Sequence, residues 1–151
     1  MGDITSSQTD QPRLTITAST LRDLLTCERR VWLDANGDPT LRDLETTVSM
    51  RLGIEHEQVI HAVTTGPIQT IPIESWDEGV ATTRHLMKQG ASLIIGAFLE
   101  VETPLDLTNV RYHVRGRVDR LVRLHGAYSP VEIKLHNKPT PADLVQLDFY
   151  V

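Results

Sequence analysis

Apolar positions recur along this chain first at helical and then at alternating spacing. Leu21, Leu24, Leu25, Val31 and Trp32 keep helical spacing behind Ser19 or Thr20 as a cap, predicting a first helix to about Leu33. Asn36-Gly37-Asp38-Pro39 then breaks the chain in a turn. A second helical stretch is predicted from about Leu41 to Val63, with Gly53 as a weak point within it. Its later half sets Leu52, His56, Val59, Ile60 and Val63 on one inward stripe, so a histidine points where leucines and valines point.

The alternating segments follow. Ile68 to Ile73 reads as an edge strand because of Pro72. Ser75 with Glu78 forms a capping box for a helix ending near Gly90. Ala91 to Val101 is a buried strand, and Val110 to Leu124 a second one, with Val110, Tyr112, Val114, Gly116 and Val118 on one face. After a turn at His125 to Ser129, Val131 to Leu135 returns as a third strand. Thr140 caps a last helix that opens with Pro141 at its first position. The chain stops at Val151 inside that helix, as a fragment or a short version of a longer domain would. Met1 to Pro12, rich in Ser, Thr, Asp and Gln, reads as a disordered lead-in, leaving one domain over residues 14–151. Helices, then a strand meander, then a helix give an α/β (α+β) class with a mixed central sheet.

Composition narrows the picture. With 151 residues, 40% hydrophobic and 23% charged, the chain suits one globular domain. Its longest apolar stretch, Ala91 to Leu99, is far short of the roughly 20 residues of a membrane span, and no secretory signal opens the chain. A single cysteine, Cys27, excludes an internal disulfide framework and fits a reducing cytoplasm. The net charge of −5 argues against binding nucleic acid by bulk electrostatics. Arg111, Arg115, Arg117, Arg120 and Arg123, with Asp119 the only acid among them, still make a local basic stripe that suits a phosphate chain as well as a solvated strand face.

The chemistry concentrates in Gly116-Arg117-Val118-Asp119 and Val131-Glu132-Ile133-Lys134. A hairpin looping over Leu124 to Ala127 pairs Arg123 with Tyr128 and sets Asp119 opposite Glu132, where two carboxylates repel. Glu132 and Lys134 share a face by the two-residue period of a strand. A hard divalent cation, Mg²⁺ or Mn²⁺, would relieve the repulsion and polarise a phosphoryl oxygen, with the lysine offsetting charge on the phosphate. A cross-strand ion pair on a solvated face is the other reading.

Gly116-x-x-Asp119 followed by Glu132-x-Lys134 resembles the core motif of the PD-(D/E)xK nucleases. The wider pattern is similar to their RecB-like branch, which includes CRISPR-associated exonucleases. Gly53-Ile54-Glu55-His56 matches its helical Gly-x-x-His, Gln146 to Tyr150 its Gln-x-x-x-Tyr, and the Cys27 to Trp32 segment its opening helix. The resemblance spans Ser19 to Tyr150 and implies a restriction-endonuclease-like core. It implies that Asp119, Glu132, the main-chain carbonyl of Ile133 and His56 surround a catalytic Mg²⁺ or Mn²⁺, and that Lys134 positions the attacking water. It implies that Gln146 and Tyr150 contact nucleic acid or brace the lysine strand; from the arginine stripe, Arg117 and Arg120 are expected to bind nucleic acid with them.

Many members of that branch hold an iron–sulfur cluster through four cysteines, and Cys27 alone cannot. Between Leu24 and Val31 on one helix side, Cys27 is expected to be a buried structural thiol. His61, His85, His113, His125 and His136 show no ligand spacing, and Glu55 and Glu57 are expected to be helix-surface acids.

Three functions are therefore set against each other. The first is a metal-dependent deoxyribonuclease, an exonuclease by resemblance, acting in repair, recombination or CRISPR-type processing, alone or within a longer nuclease or helicase assembly. The second is an inactive nuclease-fold module that binds DNA or a partner. The third is a hydrolase of small phosphate esters, which the arginine stripe and Gln-x-x-x-Tyr disfavour.

Overall fold

The computed structural model describes residues 14–41, 44–72, 75–105 and 110–151; the lead-in expected over residues 1–13 lies outside them. The element order is β1 (Leu14–Thr17), α1 (Ala18–Thr26), α2 (Glu28–Asn36), a 3₁₀ turn (Pro39–Leu41), α3 (Leu44–Ala62), β2 (Ile68–Thr70), α4 (Trp76–Gln89), β3 (Leu93–Leu105), β4 (Val110–Leu124), β5 (Ala127–Val131) and α5 (Pro141–Asp148). The architecture is mixed α and β, with helices packed on a mixed five-stranded sheet ordered β1-β4-β3-β2 and with β5 also on β4. β1 runs parallel to β4 and β2 parallel to β3, while β3, β4 and β5 form an antiparallel meander.

β4 organises the sheet. One of its edges carries β3 from Val110 to Val122. The other edge is shared: β1 covers Tyr112 to Arg115 and β5 covers Arg120 to Leu124. Gly116 to Asp119 therefore lie in the gap between the two short strands. Strand β1 was not expected from the sequence, because four residues with two threonines carry too little apolar periodicity to stand out.

The β4–β5 hairpin turns at His125 and Gly126, both at positive φ (51° and 89°), which suits a two-residue turn matched to strand twist. It sets Arg123 opposite Tyr128, the expected register, but the ladder ends at Arg120↔Val131. Glu132, Ile133 and Lys134 thus leave the sheet as irregular chain, where a third strand reaching Leu135 was expected. On the other side of β4, Gly96 opposite Asp119 is the one position missing from the β3–β4 ladder, and its φ of +67° kinks β3 there.

Ile71, Val80, Ile94, Ala97, Phe98, Val118 and Leu121 form the core. Helix α4 lies on β3. Its start and stop follow the sequence: the Ser75 hydroxyl accepts from the Glu78 N–H, and Gly90 ends the helix in the left-handed region. Beyond the short reach of β2, the Phe98 N–H donates to the Thr83 hydroxyl oxygen at 2.9 Å, and that hydroxyl donates to the Gly79 carbonyl at 2.9 Å. α5 starts with Thr140 as the expected N-cap and Pro141 in its first turn, a capping box with Asp143 completes the cap, and the helix packs against α1.

Three expectations are corrected. The single first helix is two, because Cys27 is extended (φ −166°, ψ 107°), ending α1 and starting α2. The break destroys the common side that Leu24, Cys27 and Val31 would share, so Cys27 is exposed, as are Leu24 and Trp32. Of the stripe expected to point inward from α3, Leu52, Val59 and Val63 face out, at 50%, 61% and 70% exposed, while His56 and Ile60 are half-buried. The residues of this region that meet the sheet are Ile60, His61 and Thr64, all held by Arg120 of β4. A polar fork, not apolar periodicity, sets the rotation of that helix. No helix among the described residues is long and apolar enough to cross a membrane.

Thr83→Val is expected to destabilise the fold by about 1–3 kcal/mol, since it strands the buried Phe98 N–H. In urea unfolding followed by circular dichroism, a midpoint equal to wild type would contradict this account of the α4–β3 contact.

Candidate active site at the gap in β4

Gly116 to Asp119 face no strand on the gap side, and α5 with the chain leaving β5 fills the space. The Tyr150 ring lies over Gly116, where a Cβ would sit 2.2 Å from the ring. Its hydroxyl donates to the Arg117 carbonyl at 3.2 Å, replacing a strand partner. The glycine of the motif and the tyrosine of Gln-x-x-x-Tyr are thus the two halves of one contact.

Below it, the Ile133 N–H donates to Asp119 Oδ2 at 2.7 Å, which fastens the departing chain to β4 and sets Glu132 beside Asp119. Lys134 Nζ donates to Glu132 Oε2 at 3.0 Å and to Gln146 Oε1 at 2.9 Å, and Gln146 Nε2 donates to Glu132 Oε2 at 2.9 Å. Glutamate, lysine and glutamine close a three-membered ring. The Glu132 side chain is only 5% exposed, and its other oxygen, Oε1, is buried without a hydrogen-bond partner. A buried acceptor left unpaired is costly and asks for an explanation.

The electrostatics agree with the geometry. Burial raises the Asp119 carboxyl above the usual aspartate range; the Ile133 N–H opposes this, while the charge of Glu57 adds to it. Burial likewise raises Glu132, and the neighbouring Asp119 charge raises it further against the pull of Lys134. Burial and the Glu132 charge hold the Tyr150 phenol far above its ordinary value, so it stays a neutral donor. Two carboxylates that resist ionising together are a place where positive charge is favoured.

Asp119, Glu132, Ile133, Lys134, Gln146 and Tyr150 are therefore gathered in one place. His56 is not brought into a ligand set with them: among the described residues, no three His, Cys, Asp or Glu side chains are placed to hold a metal ion. The donors that are present, the carboxylates of Asp119 and Glu132, the latter with an unpaired oxygen, still fit a Mg²⁺ or Mn²⁺ ion that keeps several waters and one or two carboxylates.

The arginine stripe disperses. Arg115 pairs with Glu100 at 3.1 Å and lies over Trp76, Arg123 reaches the Gly90 carbonyl, and Arg120 is spent on the α3 end of the chain. The side chain of Arg111 lies outside the described residues. Arg117, exposed over the Phe98 ring, is the member left facing solvent beside the site.

Sequence reasoning passed over Glu57 and His61, which meet each other on α3 and, through His61, meet Arg120 of β4. Their spacing with Ile60 and Thr64 (i, i+3, i+4, i+7) was a detectable helical stripe hidden by a more apolar one. Gly96 was also missed; a glycine inside a strand pattern was its signal.

Comparison with family models, with curated proteins and with solved structures finds no match to this chain.

Because folded Asp119 and Glu132 hold protons more tightly than their ordinary values of 3.8 and 4.5, the folded chain binds more protons than the unfolded one in that range. Their contribution to stability therefore falls as pH rises through and above those values, in the absence of metal. Asp119→Asn, which keeps an acceptor for the Ile133 N–H, is expected to flatten this part of the stability–pH curve in chelator. A steeper decline in the variant than in wild type would overturn the assignment.

Proposed function

We propose that this chain is a metal-dependent deoxyribonuclease of the PD-(D/E)xK class, RecB-like, built on a restriction-endonuclease-like core. The observation that carries the reading is the buried Glu132, with an orphaned Oε1, beside Asp119 and a lysine locked by Gln146. Asp119 and Glu132 would hold Mg²⁺ or Mn²⁺, which when bound supplies charge neutralisation and polarises a phosphoryl oxygen. Lys134 has three N–H donors and spends two on Glu132 and Gln146, which leaves one for a water or a phosphate oxygen. Gln146 fixes where that N–H points, and Tyr150 holds α5, hence Gln146, against β4. In this reading Gln146 and Tyr150 brace the lysine segment. Exposed Arg117 is the residue suited to a phosphate of the polymer.

A module that binds DNA or a partner without cleavage is the second reading. It is favoured by the closed Glu132–Lys134–Gln146 ring, which is internally paired without a cation.

With Mn²⁺ at 100 times its dissociation constant, wild type should gain about 2.7 kcal/mol of stability, and Glu132→Ala should gain none. Lys134→Ala should keep the metal response while DNA cleavage falls on the order of 10²-fold or more, as for loss of a charge-stabilising donor. Intact single- and double-stranded DNA after incubation with wild type and Mn²⁺ would sink the nuclease reading and leave the binding module.

A further inference from the structure

The arginines of β4 differ in what holds them. Arg115, Arg120 and Arg123 each reach an acceptor in the protein, whereas the Arg117 guanidinium has no hydrogen-bond or ion-pair partner among the described residues. Packing fixes it instead. Gly96 on β3 is buried, and a Cβ there would lie 2.6 Å from Arg117 Nη2 and 3.3 Å from both its Cζ and Nε. The planar group therefore rests over the bare glycine. The Phe98 ring stands beside it, with Cζ 5.5 Å from the ring centre. At the main chain, the Arg117 carbonyl accepts from the Tyr150 hydroxyl at 3.2 Å. Backbone and guanidinium are thus both held, while the side chain stays exposed.

Gly96 suits this use for two reasons. Its φ of +67° lies in the left-handed region that glycine occupies at little cost, and the missing Cβ is the space the guanidinium fills. Between the Ile95↔Arg120 and Ala97↔Val118 pairs, it stands opposite Asp119. Arg117 and Asp119 share one side of β4, separated by roughly 6.6 Å of strand at about 3.3 Å per residue. A guanidinium carries five N–H donors in a rigid fork that matches phosphate oxygens, and packing against an aromatic ring leaves its edge available. Donors oriented before binding lose less freedom when they bind.

We propose that Gly96 is a positioning residue: with the Phe98 ring it forms a cradle that presents the Arg117 guanidinium to one backbone phosphate of DNA beside Asp119. The inference rests on the nucleic-acid reading above. It separates Arg117, which touches the polymer, from Gly96, which acts only through it. It also gives a function to the position missing from the β3–β4 ladder.

The test is binding of a fluorescein-labelled DNA oligonucleotide to the full chain, followed by anisotropy in chelator so that no metal contributes. Wild type is compared with Gly96→Ala, Arg117→Ala, Arg117→Lys and the Gly96→Ala/Arg117→Ala double variant. Arg117→Ala is expected to weaken binding by roughly tenfold, the equivalent of one charge-assisted hydrogen bond, and to lower the salt slope by about 1. Gly96→Ala should lose most of the same affinity, because the added methyl displaces the guanidinium. The double variant should be no weaker than Arg117→Ala alone, since the glycine acts through the arginine. Wild-type affinity in Gly96→Ala, or losses that add in the double variant, would overturn the proposal. Where Gly96→Ala does not fold, Arg117→Lys decides at an exposed position. It keeps the charge and loses the plane, so affinity should fall by roughly threefold or more with the salt slope unchanged. Unaltered affinity in that variant overturns the cradle. Wild type that binds DNA but does not cleave it with Mn²⁺ sinks the nuclease and leaves this contact standing, whereas wild type that does not bind DNA overturns both.

Discussion

Everything chemically notable in this protein follows from the uncovered middle of one strand edge. β4 is long, and on the side away from β3 it is covered by two short strands that leave Gly116 to Asp119 between them. Backbone groups on such an edge need partners. The Arg117 carbonyl takes the Tyr150 hydroxyl, and the Ile133 N–H folds back onto Asp119. These two bonds bring the end of α5 and the chain leaving β5 into the gap, and with them Gln146, Glu132 and Lys134. The site is how the sheet completes its own edge.

The same gap explains the electrostatic tension. Burying two carboxylates together raises both above their ordinary ranges. Lys134 offsets part of this for Glu132, but Glu132 Oε1 stays unpaired. Such a site has polar capacity that the protein does not use on itself. That arrangement suits function better than stability, because replacing the network with apolar groups would remove the cost of burial. Helix α3 is joined to β4 through Arg120, which also meets His61, itself 3.2 Å from Glu57. The arginines of β4 are mostly engaged in holding the fold: Arg115 ties β4 to Glu100 of β3 and Arg120 ties it to α3.

The sequence by itself determined the elements whose signals are local. Capping at Ser75 and Thr140, the stop at Gly90 and the hairpin register are set by residues within a few positions of one another, and the structure shows each. The convergence of Asp119, Glu132 and Lys134 was anticipated from hairpin register and strand periodicity, but the ladder stops at Arg120↔Val131, and the Ile133–Asp119 and Lys134–Gln146 hydrogen bonds bring the groups together instead. Tertiary structure decided what depends on distant partners. Periodicity cannot tell which side of a helix meets the sheet when an arginine some 60 residues away captures a polar stripe, so the contact of the α3 end with β4 was hidden. Nor could it show that Cys27 breaks a helix, since the break is a backbone conformation and not a residue type. Strand β1, four residues long, exists because β4 offers it an edge, and the gap that makes the site exists because β1 ends where it does.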